Sequence, residues 1–238
     1  METADLGLCD ALRALFVSIG DMLLPRGCAG CDKPDEVLCA SCARLFVHVY
    51  PKVLPGDAGR CYGCSWYCGA VRHAILNWKD HGDGECDRVF ALLLTDLVLK
   101  VLDRQESHVR SRALVLVPAP SSASSMHRRG RWQMLPLARL MARGLKRHGV
   151  SAVMEPVLRL EGVQGKSVQT SGASSRAKRI EGHVHVSADL SDADSLFIVV
   201  DDIVTTGATM GQCLSALRDS GARDVIGLAL ACTPNRAE

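Results

Sequence analysis

Along the 238-residue chain the apolar positions change period several times, and each change marks an element. Leu8, Leu12, Leu15, Phe16, Ile19 and Leu23 recur every three or four residues, which predicts an amphipathic helix near the N-terminus. Residues 71–78 and 86–102 predict two further helices, the first ending near "KDHGDG". Residues 113–117 form a short unbroken apolar run stopped by "PAP", the mark of a strand buried on both faces. A helix is predicted from about 133 to 146, with Pro136 tolerated in its first turn. Residues 152–160 suggest an edge strand interrupted by Pro156. A second buried strand follows at 196–200. Then comes a helix at 208–220 carrying Met210, Cys213, Leu214 and Leu217 on one face, with Gly221 past its end, and a last strand at 224–231. Strands alternating with helices predict an α/β fold, a parallel sheet with helices on both faces.

Two stretches break this rhythm. "PKVLPGDAG" at 51–59 has the Pro/Gly content of a link, and places a boundary between residues 1–59 and 60–238. Residues 161–175 are rich in Gly, Ser and Gln and suggest a mobile loop; Lys166, Arg176 and Lys178 on and beside it suit a lid over a bound ligand. The N-terminal apolar helix carries Asp10, Arg13 and Asp21, lacks a basic start and has no run of about 18 apolar residues, so it fits neither a signal nor a membrane span. A cytoplasmic protein is expected.

Composition narrows this picture. Hydrophobic residues at 47% are ample for a core, and a net charge of +2 gives no overall attraction to nucleic acid. Local basic groups at Arg128, Arg129 and Arg131 suit a small phosphate-bearing molecule better than a long polyanion. Seven of the eleven cysteines fall between 28 and 68. Cys28, Cys31, Cys39 and Cys42 form two CxxC knuckles, the spacing of a closed four-thiolate zinc site that holds structure and does no chemistry. One lysine and no arginine between them argue against direct contact with a nucleic-acid backbone; a protein partner is one contact open to the module. Cys61, Cys64 and Cys68 are a weaker group without an evident fourth ligand. Cys9, Cys213 and Cys232 sit in apolar surroundings and are expected in the core.

The stretch "LFIVVDDIVTTGATMG", residues 196–211, carries the candidate chemistry. A buried strand to Val200, a sharp turn and a helix starting near Gly207 place outward-pointing backbone N–H groups and a positive dipole end at the carboxyl edge of the sheet. Gly207 allows close backbone approach, and Thr205, Thr206 and Thr209 add hydroxyls: a cradle for one phosphate. It has neither the GxxxxGK[ST] nor the GxGxxG spacing. Asp201 and Asp202 beside the cradle are acceptors suited to the adjacent hydroxyls of a ribose 5-phosphate unit. A helix-capping acidic turn is the plainer alternative. On the first reading, Gly207→Val should obstruct the phosphate and change stability far less than binding.

Strand, acidic pair and "VTTGAT" together resemble the phosphoribosyl-pyrophosphate (PRPP) signature of type I phosphoribosyltransferases. With the cysteine knuckles, "AVRHAILNWKDHG" and "VPAPSSASSMHRRGRWQ", the chain resembles the ComF/GntX family across nearly its whole length. That resemblance implies a type I phosphoribosyltransferase-like domain behind a small zinc-ribbon-like module. It implies that Asp201 and Asp202 hold the ribose hydroxyls and act in catalysis, and that Val204, Thr205, Thr206, Gly207, Ala208 and Thr209 hold the 5-phosphate. The loop with Ala119, Pro120 and Ser121, helped by Arg128, Arg129 and Lys79, would take the pyrophosphate, with magnesium accompanying PRPP. The implied reaction transfers phosphoribose to a nitrogenous acceptor; some family members serve competence and DNA uptake, so a non-catalytic PRPP- or nucleotide-binding accessory role is the alternative. The family usually has "RRGFNQ" where this chain has "RRGRWQ". A later motif aligns Gln169, Ser171 and Arg176 but places Lys178 or Arg179 where Asn is expected. Trp132 is expected in the core or stacked on an acceptor base.

Overall fold

The computed structural model describes residues 27–80, 84–104, 112–160, 184–190 and 194–234. The predicted N-terminal helix and the proposed lid, with Lys166, Gln169, Ser171, Arg176, Lys178 and Arg179, lie outside the described residues, as does Cys9.

The described elements run α1 (Ala40–Ala43), β1 (Tyr50–Val53), β2 (Arg60–Trp66), α2 (Gly69–Asp80), α3 (Cys86–Asp103) and β3 (Ala113–Pro118). They continue α4 (Ala123–Arg129), α5 (Met134–Arg147), β4 (Ala152–Met154), β5 (Leu158–Leu160), β6 (Val184–Val186), β7 (Ser195–Val204), α6 (Ala208–Asp219) and β8 (Asp224–Cys232). Six strands make one sheet in the order β1-β2-β8-β7-β3-β4; β1 is antiparallel to β2 and the other neighbours are parallel. This is the α/β architecture expected from the chain, with the cysteine knuckles N-terminal to it.

The apolar runs of β3 and β7 are continuous because both faces are covered. Leu114, Leu116, Leu196, Ile198 and Val200 join one core layer with α2, α3 and α5. Val115, Val117, Phe197 and Val199 join the opposite layer with Met210, Cys213, Leu214 and Leu217 of α6. Helix α5 buries Met134, Leu137, Ala138, Met141, Ala142 and Leu145, a single stripe at three- and four-residue spacing. Trp78 and Phe90 are fully buried and meet edge to face, centroids 5.3 Å apart, with Phe46 5.7 Å beyond Phe90. This aromatic trio joins the segment after the knuckles to α2 and α3.

Three departures bear on the site. Residues 51–59 are no loose link: Tyr50–Val53 is a sheet strand, and the following 3-10 turn Pro55–Asp57 leads into β2. Pro156 divides the expected edge strand, so that β4 pairs with β3 while β5 turns away to pair antiparallel with β6. The second buried strand also does not stop at Val200; β7 runs on to Val204, carrying both aspartates within it.

Candidate functional site

The carboxyl ends of β3 and β7 lie side by side, Pro118 opposite Val200, and the Ala119 N–H donates to the Val200 carbonyl at 2.9 Å. The loop Ala119–Ser121 therefore begins one residue from Asp201. Successive side chains of a strand face opposite sides, and the two aspartates have different neighbours. Asp202 turns toward α2 and forms an ion pair with Lys79. Asp201 acts electrostatically on Cys213 of α6, across the sheet. Each carboxylate also accepts a backbone N–H from the next residue: Asp202 to Asp201 at 2.8 Å, Ile203 to Asp202 at 2.7 Å. These bonds give both carboxylates a local partner inside a strand that continues to Val204.

Burial raises the Asp201 pKa to about 7, the Asp202 carboxylate adds to the rise, and the Asp202 N–H and Lys79 oppose it. An acidic group poised near neutrality beside an ion pair is characteristic of functional sites.

After Val204 the chain turns through exposed Thr205 and Thr206 to Gly207, which caps α6 with φ 86°. A Cβ there would stand 2.7 Å from Leu54 Cδ2 and 3.2 Å from Pro55 Cδ, so only glycine fits. The turn is braced by Thr233, just past the end of β8: its N–H donates to the Val204 carbonyl at 3.0 Å and its hydroxyl to the Thr205 carbonyl at 2.9 Å. Buried Lys52 of β1 in turn donates to the Thr233 carbonyl at 2.7 Å. The residues of β1 and the following turn thus shape the cradle from below.

Of the basic candidates, Arg129 approaches Asp80, next to Lys79, with Nε 3.6 Å from Oδ1. Arg128 and His127 are exposed on the last turn of α4. Trp132 is partly buried against the core, and its indole donates to the Ala119 carbonyl at 2.9 Å. The structure thus brings Asp201, Asp202, Lys79, the residues 119–121 and the turn 204–209 to one sheet edge, and leaves Arg128 outward. Trp78, one residue before Lys79, donates to Asp87 at 2.6 Å, and Gln133 donates to the Lys79 carbonyl at 3.2 Å; nothing in the spacing of Trp78 and Asp87 along the chain had singled them out.

The four thiols of Cys28, Cys31, Cys39 and Cys42 lie within 4.8 Å of one another. Cys31 and Cys39 Sγ are 3.7 Å apart, against about 3.8 Å for two ligands of a tetrahedral ion with 2.3 Å metal–sulfur bonds. Backbone N–H groups of Cys39 and Cys42 point at Cys28 and Cys39 sulfurs, at 3.2 and 3.4 Å, the partners thiolates need. The donor set fits zinc and offers no open position. The knuckle seats on α2 through the Asn77 amide, which donates to the Ala29 carbonyl at 2.8 Å. Beside it lies a cleft of about 400 Å³ lined by Gly30, Asp32, His73, Asn77 and Asp80, among others. Cys61 and Cys64 belong to opposite core layers and Cys68 is exposed, so these three do not converge. Cys213 and Cys232 are buried in the core, as expected.

Residues 135–238 match the family model of the phosphoribosyl transferase domain. No curated protein matches the chain. Among solved structures, a hypoxanthine phosphoribosyltransferase from Staphylococcus aureus aligns at 15% identity over 64% of this chain and 66% of that one, with a TM-score of 0.34. A glutamine phosphoribosylpyrophosphate amidotransferase from B. subtilis aligns at 13% identity over 65% of this chain and 30% of that one, with a TM-score of 0.36. Among the described residues, no helix is long and apolar enough to cross a membrane.

Proposed function

We propose that the protein is a phosphoribosyltransferase that binds PRPP at the carboxyl edge of β3 and β7 and transfers its phosphoribosyl group to a nitrogenous acceptor. The observation that carries this reading is the continuity of the site: β7 delivers Asp201 and Asp202, and without interruption the braced turn 204–209 delivers a helix N-terminus closed by Gly207. In this reading Val204, Thr205, Thr206, Gly207, Ala208 and Thr209 hold the 5-phosphate, and Asp201 and Asp202 hold the ribose hydroxyls. Ala119, Pro120 and Ser121 hold the pyrophosphate, with Lys79 and Arg129 supplying positive charge nearby and Arg128 turning in from the surface. Bound magnesium would supply charge neutralisation on pyrophosphate and ribose oxygens, hard ligands that suit it. The protein's part is to position C1 for displacement and to stabilise the leaving pyrophosphate. Lys79 has a double duty: ligand binding at Asp202 would free its ammonium from the ion pair. The acceptor enters the cleft between the cysteine module and α2, where Asp32, Asp80 and Asn77 suit a planar ring bearing N–H donors. Zinc fills the four-cysteine site as a structural ion. A cytoplasmic location and membership of the ComF/GntX family, which the chain resembles, belong to the same reading.

Calorimetric titration with PRPP and magnesium tests it. Asp202→Asn replaces a charge-assisted hydrogen bond worth about 1.5–3 kcal/mol, and should weaken PRPP roughly tenfold to a hundredfold. Thr206→Ala, at an exposed position, should weaken PRPP and ribose 5-phosphate alike, at a cost in stability of no more than about 1 kcal/mol, since the hydroxyl makes one long bond at 3.4 Å to the Ala208 N–H. Unchanged PRPP affinity in both folded variants would reduce the stretch to an acidic turn.

A further inference from the structure

The tripeptide Arg131-Trp132-Gln133 departs from its family pattern in two of three positions, and all three side chains make a tie. Arg131 forks onto Asp87 at the start of α3, with Nη1 and Nη2 at 2.8 and 2.9 Å from the two carboxylate oxygens. The same carboxylate takes the indole N–H of fully buried Trp78 at 2.6 Å, so Asp87 is held by three donors from two sides. Trp132 donates to the Ala119 carbonyl at 2.9 Å. Buried Gln133 donates to the backbone carbonyl of Lys79 at 3.2 Å. Three consecutive residues are thereby fastened to three elements: the start of α3, the loop after β3 and the end of α2.

Two of these fastenings end on proposed ligand groups. Ala119 opens the pyrophosphate loop, and Lys79 pairs with Asp202. The third, through Asp87 and Trp78, anchors the tripeptide in the core one residue before Lys79. The loop 119–121, which leaves β3 at Pro118 and contains Pro120, has few backbone N–H groups with which to fix itself. Ala119 itself is tied at both backbone groups, its N–H to the Val200 carbonyl and its carbonyl to the Trp132 indole.

Resting on the PRPP reading, we propose that Trp132 is a positioning residue: through the Ala119 carbonyl it sets the pyrophosphate loop at a fixed distance from Asp202 and Lys79, with Arg131 and Gln133 holding it in register. It touches no reacting atom. Its action is specific to ligands that reach the loop. PRPP does so, whereas ribose 5-phosphate stops at Asp201, Asp202 and the turn 204–209.

Trp132→Phe keeps an aromatic ring and removes the single donor. Losing one such bond should weaken PRPP with magnesium about three- to tenfold and leave ribose 5-phosphate unchanged. Amide exchange at Ser121 and Ser122 in the free protein should quicken. Arg131→Lys, which cannot fork onto Asp87, should show the same split and serves if Trp132→Phe folds poorly. Equal loss for both ligands, or faster exchange with unchanged affinities, would leave only a structural staple and overturn the proposal. Wild type that discriminates between the ligands beside variants identical to it would overturn the clamp alone. Wild type that binds neither ligand would overturn the PRPP reading, and the clamp's role with it.

Discussion

Burial and the Asp202 carboxylate hold Asp201 at a pKa of about 7, against about 3.9 for an ordinary aspartate. Between these values the folded chain keeps a proton that the unfolded chain has lost, so stability falls as pH rises from about 4 to about 7 and the full penalty is present above 7. Asp201→Asn keeps the shape without the ionisation. Its melting temperature should equal that of wild type near pH 4 and exceed it increasingly through pH 7. Acid loss of a metal from the thiols affects both proteins and cancels in the difference. A difference that stays constant from pH 4 to 8 would mean that Asp201 titrates no differently in the folded chain than in the unfolded one. At Gly207 the structure changes an expectation. With φ at 86° and Leu54 2.7 Å from the place of a Cβ, Gly207→Val carries backbone strain and a clash whether or not phosphate binds. It should lower stability by about 1–3 kcal/mol, measurable by denaturant titration, in addition to any loss of binding.

Among the elements, α2 and β7 meet through Lys79 and Asp202. Lys79→Met leaves a largely buried carboxylate without its partner and should destabilise the fold by about 1–3 kcal/mol. Adding Asp202→Asn removes the stranded charge and should recover part of that loss; strictly additive effects would show that the two side chains do not interact. The long elements were legible in the chain because their periods are clean: α5 presents one apolar stripe, and β3 and β7 present unbroken apolar runs. β7 outran its apolar run because its ladder with β8 continues past the aspartates, to Val204 opposite Cys232, a pairing that periodicity does not register. β2 was hidden in "RCYGCSW", where the thiol spacing drew attention from a stretch whose middle five residues are all buried. α4 was hidden in a Ser- and Arg-rich loop, although Ser122 at its start and Gly130 after its end are ordinary caps. Of the site, the acidic pair and the glycine turn could be read directly. The Asp87 post could not, since its partners Trp78 and Arg131 come together only through packing of α2, α3 and the loop before α5.

Over the whole molecule, the cysteine knuckles and the sheet are joined in two places with different consequences. The knuckles rest on α2 through Asn77 and, by way of Phe46, on the aromatic cluster with Phe90 and Trp78. The stretch 50–59 instead belongs to the sheet: Lys52 bonds to Thr233, Leu54 packs on Gly207, and the Ala58 carbonyl accepts from Arg218 of α6 at 2.8 Å. Metal binding and local folding are coupled in such knuckles, so losing the ion should act through the first joint and spare the second. Protein purified without chelator should contain about one zinc per chain. On chelation, or in Cys28→Ser, amide exchange should quicken across residues 27–47 and at the outer face of α2 near Asn77. β7, β8 and the turn 204–207 should keep their protection, because their braces run through β1 and Thr233. Loss of protection throughout β7 and β8 would show the cysteine module to be part of one cooperative unit with the sheet. Absence of zinc from the purified protein would remove the metal from the account altogether.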